Sequence, residues 1–184
     1  MRYGIFAGDG NVTTLLETAR QAEADGFDSF WLPQIFGVDA LVAHGLIASQ
    51  VPRIELGTAV VPTYPRHPVA LASQALTVSA ISGGRLTLGV GLSHQMVIEG
   101  MYGYSFDKPV RHMREYLSAL VPLCRGEAAD VEGETLTARA QVVVDDAPPV
   151  PVMVAALGPA MLKLAAERTA ERGVAFRAVR TRVP

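Results

Sequence analysis

Ile54-Glu55-Leu56-Gly57-Thr58-Ala59-Val60-Val61, the segment His67 to Ile81, and Arg85-Leu86-Thr87-Leu88-Gly89-Val90-Gly91 together decide the fold. The first and last are short, nearly continuous apolar runs, which suit strands buried on both faces. The middle segment is rich in alanine and leucine, opens at His67-Pro68 and stops at Ser82-Gly83-Gly84, so it reads as a helix. Strand, helix and strand in succession form a βαβ unit, and such a unit places its two strands parallel.

The same rhythm extends in both directions. Upstream, Arg2 to Ala7 is a first strand, and Phe27 to Leu32 a second. Asp39 to Gln50 is a helix. The first helix is expected from Thr14, with Glu17 at capping-box spacing and a buried stripe of Leu15, Ala19, Ala22 and Gly26. Tyr3, Ser29, Glu55 and Thr87 mark corresponding strand positions. Downstream the rhythm stretches: helices are expected over Gln95 to Met101 and Lys108 to Arg125, and a hairpin over Glu132 to Asp146. This reads as an insertion before the fifth strand, Val152 to Ala156, whose helix opens at Gly158-Pro159 and runs to Glu167. Five βα units result, in an α/β class with a parallel sheet.

Composition sets outer bounds. Of 184 residues, 49% are hydrophobic and 18% charged, and the net charge is -2, which excludes a disordered chain and argues against a nucleic-acid partner. No apolar run approaches the roughly 18 residues of a membrane span, and no signal peptide follows Met1. The single cysteine, Cys124, excludes an internal disulfide and a cysteine-rich zinc site and fits a cytoplasmic location. No metal site is expected.

In a parallel α/β sheet the loops after the strands' carboxyl ends gather on one face, where ligands bind. Those loops hold Gly8 to Asn11, Pro33 and Gln34, Thr63 to Pro68, Ser93 to Gln95, and Leu157 to Pro159. His94, just past a strand end, suits an acid, a base or a substrate hydrogen-bond donor. Arg66 and His67 beside a helix N-terminus suit an anion, or are simply solvated charges where a helix begins. Gly158-Pro159 suits a phosphate, or only starts a helix. Trp31 reads as a core residue; His44 and His112, inside helices, read as structural or surface residues. Walker A, G-x-G-x-x-G, H-E-x-x-H and G-x-S-x-G patterns are all absent.

Taken in order, Phe30-Trp31-Leu32-Pro33-Gln34, Leu56 to Pro62, His67-Pro68, Gln74 to Thr77, Ser82 to Gly91 and Pro151 to Leu164 resemble the bacterial luciferase-like monooxygenase superfamily. Within it they resemble the branch that uses the deazaflavin coenzyme F420. The resemblance implies a (β/α)8 TIM-barrel type, of which residues 1–167 supply the N-terminal part as a partial barrel. It implies a cis peptide at Ala59-Val60 behind the cofactor ring, with Thr58, Ala59 and Val60 on that strand and Ala155, Ala156, Gly158 and Pro159 holding the phosphate-bearing chain. His94 and Gln34 would face a small-molecule substrate, and the chemistry would be hydride transfer at the deazaflavin. FMN is the alternative cofactor, which would make the chain a monooxygenase.

Two departures stand out. Ser79 occupies a position where many members carry aspartate. Residues 168–184 replace the family's continuation with an arginine-rich tail, four arginines between Arg172 and Pro184 and no acid, in which Gly173 to Val179 is either a weak sixth strand or part of a solvated end. The tail reads as a frameshifted or truncated reading frame, or as a true short form. A barrel of this type takes on the order of 250 residues, so activity is in question and open strand edges could pair with another copy. A non-catalytic half-barrel acting by association is the alternative of another class.

Overall fold

The computed structural model describes residues 2–8 and 10–169. Asp9 and the possible sixth strand lie outside them. Five parallel barrel strands are present in order, each followed by a helix: β1 (Gly4–Phe6) and α1 (Val12–Ala24), then β2 (Ser29–Leu32) and α2 (Ala40–Gln50). The third strand is split into β3 (Glu55–Thr58) and β4 (Val61–Pro62) and leads to α3 (Pro68–Ser82). Next come β5 (Leu86–Gly91), α4 (Gln95–Gly100) and α5 (Pro109–Leu123), an antiparallel hairpin of β6 (Ala128–Glu132) and β7 (Thr137–Gln141), and finally β8 (Val152–Val154) with α6 (Pro159–Thr169). β1 pairs β2, β2 pairs β3, β5 pairs both β3 and β4, and β8 closes the described sheet on the far side of β5. The architecture is therefore the expected α/β partial barrel of five βα units with a hairpin before the fifth strand.

Local chemistry explains most boundaries. The Asn11 side chain accepts from the Thr14 N–H, and Asp39 accepts from Leu41 and Val42, so both residues cap their helices. Pro68 occupies the first turn of α3, and Gly83 ends that helix in the left-handed region, φ 63°. The core lies between the helices and one face of the sheet, where Phe30, Leu32, Leu56, Leu88 and Val90 meet Ile47, Leu71, Leu117 and Leu164, all buried. The other face carries Trp31 over Gly57, where an added Cβ would sit 2.2 Å from the indole ring. Trp31 is thus half-buried on the barrel's inner face rather than in the core.

Several expectations are corrected. Asn11, not Thr14, caps α1, because its side chain reaches the exposed N–H three residues on; Leu16 joins the buried stripe, and Gly26 is exposed at φ 84° after the helix has ended. Ser29 does face Glu55, but Gly4 rather than Tyr3 pairs with Ser29, and Thr87 pairs with Gly57. The hairpin turns at Gly133, whose N–H donates to Leu136 O, and so lies earlier than Glu132 to Asp146. Alternation alone could not locate that turn. Ser79 donates its hydroxyl to Pro148 O and ties α3 to the segment before β8.

Candidate active site at the carboxyl end of the sheet

The third barrel strand breaks at Ala59-Val60, where the peptide is cis. Neighbouring strands hold both sides of the break: Ala59 N–H donates to Leu32 O (2.8 Å), Gln34 N–H to Val60 O (3.3 Å), and Thr63 N–H to Gly91 O (2.9 Å). Beneath it, the buried Thr58 hydroxyl donates to Gly89 O and accepts from Gly89 N–H, each at 2.8 Å. Only glycine fits at 89, since a Cβ there would lie 2.1 Å from Thr58 O. At Gly91 a Cβ would meet Val60 Cγ2 at 2.6 Å and Ala155 Cβ at 3.4 Å. Val60, Gly91 and Ala155 therefore form a small, apolar, uncharged surface at the mouth of the barrel.

His44 supports this strand from the helix side. Its Nε2–H donates to Gly57 O at 2.8 Å, which leaves Nδ1 as a buried acceptor without a partner. Burial lowers its pKa to about 4, so the ring is neutral at pH 7.

Gln34 lies one loop over. Its Oε1 accepts from Ala40 N–H (2.8 Å) and from the Arg66 guanidinium (3.4 Å), and Arg66 is itself paired with Asp39 and bonded to Gln74. This corrects the anion-site reading of Arg66 and His67: the arginine is neutralised, while His67 Nδ1 accepts from Val69 N–H and Nε2 donates to Thr137 O. His94 follows β5 in an exposed turn that begins with Ser93 at φ 64°. Its carbonyl accepts from Val97 and Ile98 N–H, and its side chain makes no capping bond. Ala155 N–H donates to Val90 O, Ala156 is buried, Gly158 has open space where a Cβ would be, and Pro159 begins α6. The fold thus gathers Thr58, Ala59, Val60, Ala155 and, through Val60 O, Gln34; His94 and Gly158-Pro159 stand on the loops beside them.

His112 carries more than its helical position suggested. Its Nε2 lies 3.1 Å from Thr63 Oγ1, and its ring stacks on Tyr64 at 3.9 Å and 10°. Tyr64 stacks in turn on Phe106, and Tyr116 donates its hydroxyl to Arg66 O at 2.7 Å. Burial lowers the His112 pKa to about 4 and raises that of Tyr64, to which Asp107 and Glu99 add. Tyr64, His112 and Tyr116 help wall a cavity of about 840 Å³ between the Thr63–Pro68 loop, the start of α5 and the hairpin turn. The available signal was the four-residue spacing of His112 and Tyr116, which puts both on one face of α5.

A parallel partial barrel whose bulged third strand leaves an uncharged floor at the strands' carboxyl ends defines an α/β protein of the barrel type with a pocket on that face. The luciferase-like monooxygenase family model matches residues 1–170, and the chain belongs to that family. It is 31% identical over 169 residues to the 5,10-methylenetetrahydromethanopterin reductase of Methanolobus tindarius, covering 91% of this chain and 52% of that enzyme. Among solved structures it is similar to an F420-dependent secondary alcohol dehydrogenase in complex with an F420-acetone adduct (TM-score 0.79, 23% identity, 91% of this chain and 56% of that one). It is also similar to the oxygenating constituent of the Pseudomonas putida 3,6-diketocamphane monooxygenase in complex with FMN (TM-score 0.72, 19% identity, 84% and 51%). The chain spans about half the length of the curated relatives it matches.

Proposed function

We propose that this chain carries the cofactor-facing part of an oxidoreductase site that moves a hydride between coenzyme F420 and a small organic substrate. The observation that carries the reading is the bulged third strand, which sets Val60 over Gly91 and beside Ala155 with no charged side chain in the floor. A planar apolar ring fits such a floor, and the open space at Gly158 lets a phosphate approach the N–H groups of the first turn of α6. Likeness to a Mycobacterium tuberculosis protein named as a coenzyme F420-dependent oxidoreductase, 33% identical over 165 residues, supports the deazaflavin over FMN. When bound, the coenzyme supplies a two-electron hydride donor or acceptor.

The protein's own groups then orient and protonate. His94, exposed at the mouth, gives or takes the proton that accompanies the hydride at the substrate oxygen. Gln34 has its oxygen held by Ala40 N–H and Arg66, so its amide NH₂ is the end offered to a substrate oxygen. Thr58 and His44 bond Gly89 and Gly57 and keep the strand in place. A cytoplasmic location, expected from the single, buried Cys124, is part of the same proposal.

Titration with coenzyme F420 and, separately, with FMN tests it. Saturable quenching of F420 fluorescence, weakened at least tenfold by Gly91→Leu, is the expected result. Saturable FMN binding without F420 binding would transfer the site to the flavin monooxygenases, and binding of neither would remove the reading.

A further inference from the structure

The stretch from Ser93 to Lys108, which carries α4, contributes nothing to the main hydrophobic core. Only Ile98 in it is buried, and Ile98 stands outside the core cluster that packs the strands against α1, α2, α3, α5 and α6. Its hydrogen bonds close on themselves. Val97 and Ile98 N–H donate to His94 O, Met101 and Tyr102 N–H to Val97 O, and Tyr104 N–H to Ile98 O. Glu99 accepts from the Gln95 side chain and from Phe106 N–H, while Ser105 and Asp107 bond to each other. Among the described residues, no hydrogen bond leaves the stretch before Lys108. A segment with internal bonds and few core contacts opens locally at low cost.

Both of its ends are strained. Ser93 and Lys108 lie at φ 64° and 52°, in the left-handed region where a side chain costs free energy. Three contacts hold the stretch in place: Phe36 against Tyr102 (ring centroids 6.4 Å apart), Tyr64 stacked on Phe106 (5.4 Å), and the ion pair of Lys108 with Glu134 on the hairpin tip. That pair is about half exposed on each side, which makes it a weak latch, and Glu134 keeps Arg111 as a second partner when the latch parts. The stack has its own cost, since the Tyr64 hydroxyl is buried with no hydrogen-bond partner among the described residues.

The stretch begins two residues after Gly91, and its second residue is His94. A swing about Ser93 therefore carries His94 across the mouth of the proposed site. We propose that residues 93–108 are a flap that swings as one body about Ser93 and Lys108, parts from Glu134, and closes over the floor of Val60, Gly91 and Ala155 when that floor is occupied. Closure excludes water from the reacting atoms and covers Met96 and Met101, which the resting position leaves exposed. Closure over the floor rests on the reading of that floor as a coenzyme site, while the swing is measurable without the coenzyme.

Spin labels at Met96→Cys on the flap and Glu17→Cys on α1, both exposed positions, report the motion by double electron–electron resonance. Glu17→Cys with Ser73→Cys on α3 is the fixed pair and the control for folding. Cys124 takes no label, because it is buried and burial pushes its thiol up to about 12. In the free chain the flap pair should give two distances and the fixed pair one. Lys108→Met, and separately a rise from about 0.05 M to about 0.5 M salt, should each raise the swung population roughly threefold by releasing the latch. Ser93→Gly and Tyr64→Phe, which relieve the resting position, should each lower it roughly fivefold. Saturating F420 should leave only the swung distance.

A single flap distance that neither Lys108→Met nor salt moves would overturn the inference, and so would F420 that binds without changing the distances. Ser93→Gly acting in the same direction as Lys108→Met would overturn the hinge. Two distances that respond to these variants, in a chain that binds no F420, would remove the proposed function and leave the swing standing.

Discussion

At the residue scale, two buried histidines make stability depend on pH. His44 and His112 have folded pKa values of about 4 against an ordinary 6.5. Between those values the unfolded chain binds more protons, so their contribution is complete above pH 6.5, falls as the pH drops, and levels off below about 4. From pH 7.5 to 5.0 the fully buried His44 should cost about 2 kcal/mol, at about 1.4 kcal/mol per unit, and His112, partly screened by solvent, less. Urea unfolding at the two pH values should show this loss, and the double variant His44→Leu, His112→Phe should flatten the profile. An unchanged slope in the double variant would place the titration elsewhere. Neither role was legible beforehand, because a histidine within a helix has the same sequence pattern whether it faces water or a backbone carbonyl.

At the element scale, the bulged strand hangs on Thr58 and Gly89. Thr58→Val keeps the shape but leaves Gly89 N–H and C=O without their side-chain partner in a buried place, a loss of about 2–4 kcal/mol. Gly89→Ala is more severe, because its Cβ would overlap a backbone oxygen that has nowhere to move. Gly37→Ala, with no atom within 4 Å of its Cβ, should shift stability by less than about 0.5 kcal/mol. Denaturant midpoints of the three variants check the order, and equal effects would contradict this account of the bulge. The apolar run Ile54 to Val61 announced a buried strand, while its break was anticipated only through family resemblance. Periodicity carries no mark of a strand that pairs with β5 in two separate pieces.

At the scale of the whole molecule, the outer edges of β1 and β8 have no strand partner among the described residues. Unpaired edges invite association, and Phe6 on β1 is 61% exposed. Sedimentation velocity should show self-association that rises with concentration, and Phe6→Lys should reduce it. A monodisperse monomer at all concentrations would show that these edges are protected in solution. Among the described residues no helix is long and apolar enough to cross a membrane.

Element type and order were determined by the sequence alone: apolar runs, helix openings such as His67-Pro68 and stops such as Gly83 act over a few residues, so local chemistry suffices to read them. The parallel sense of the sheet followed from the spacing of those runs. Tertiary structure alone decided the register of Gly4 and Thr87, the self-neutralised Arg66–Asp39–Gln34 group, the stack on His112, and the apolar rim that joins Phe36 to Tyr102. Each depends on groups distant in the chain, brought together only when the strands pair and their loops converge on one face, and no short-range pattern encodes such a meeting.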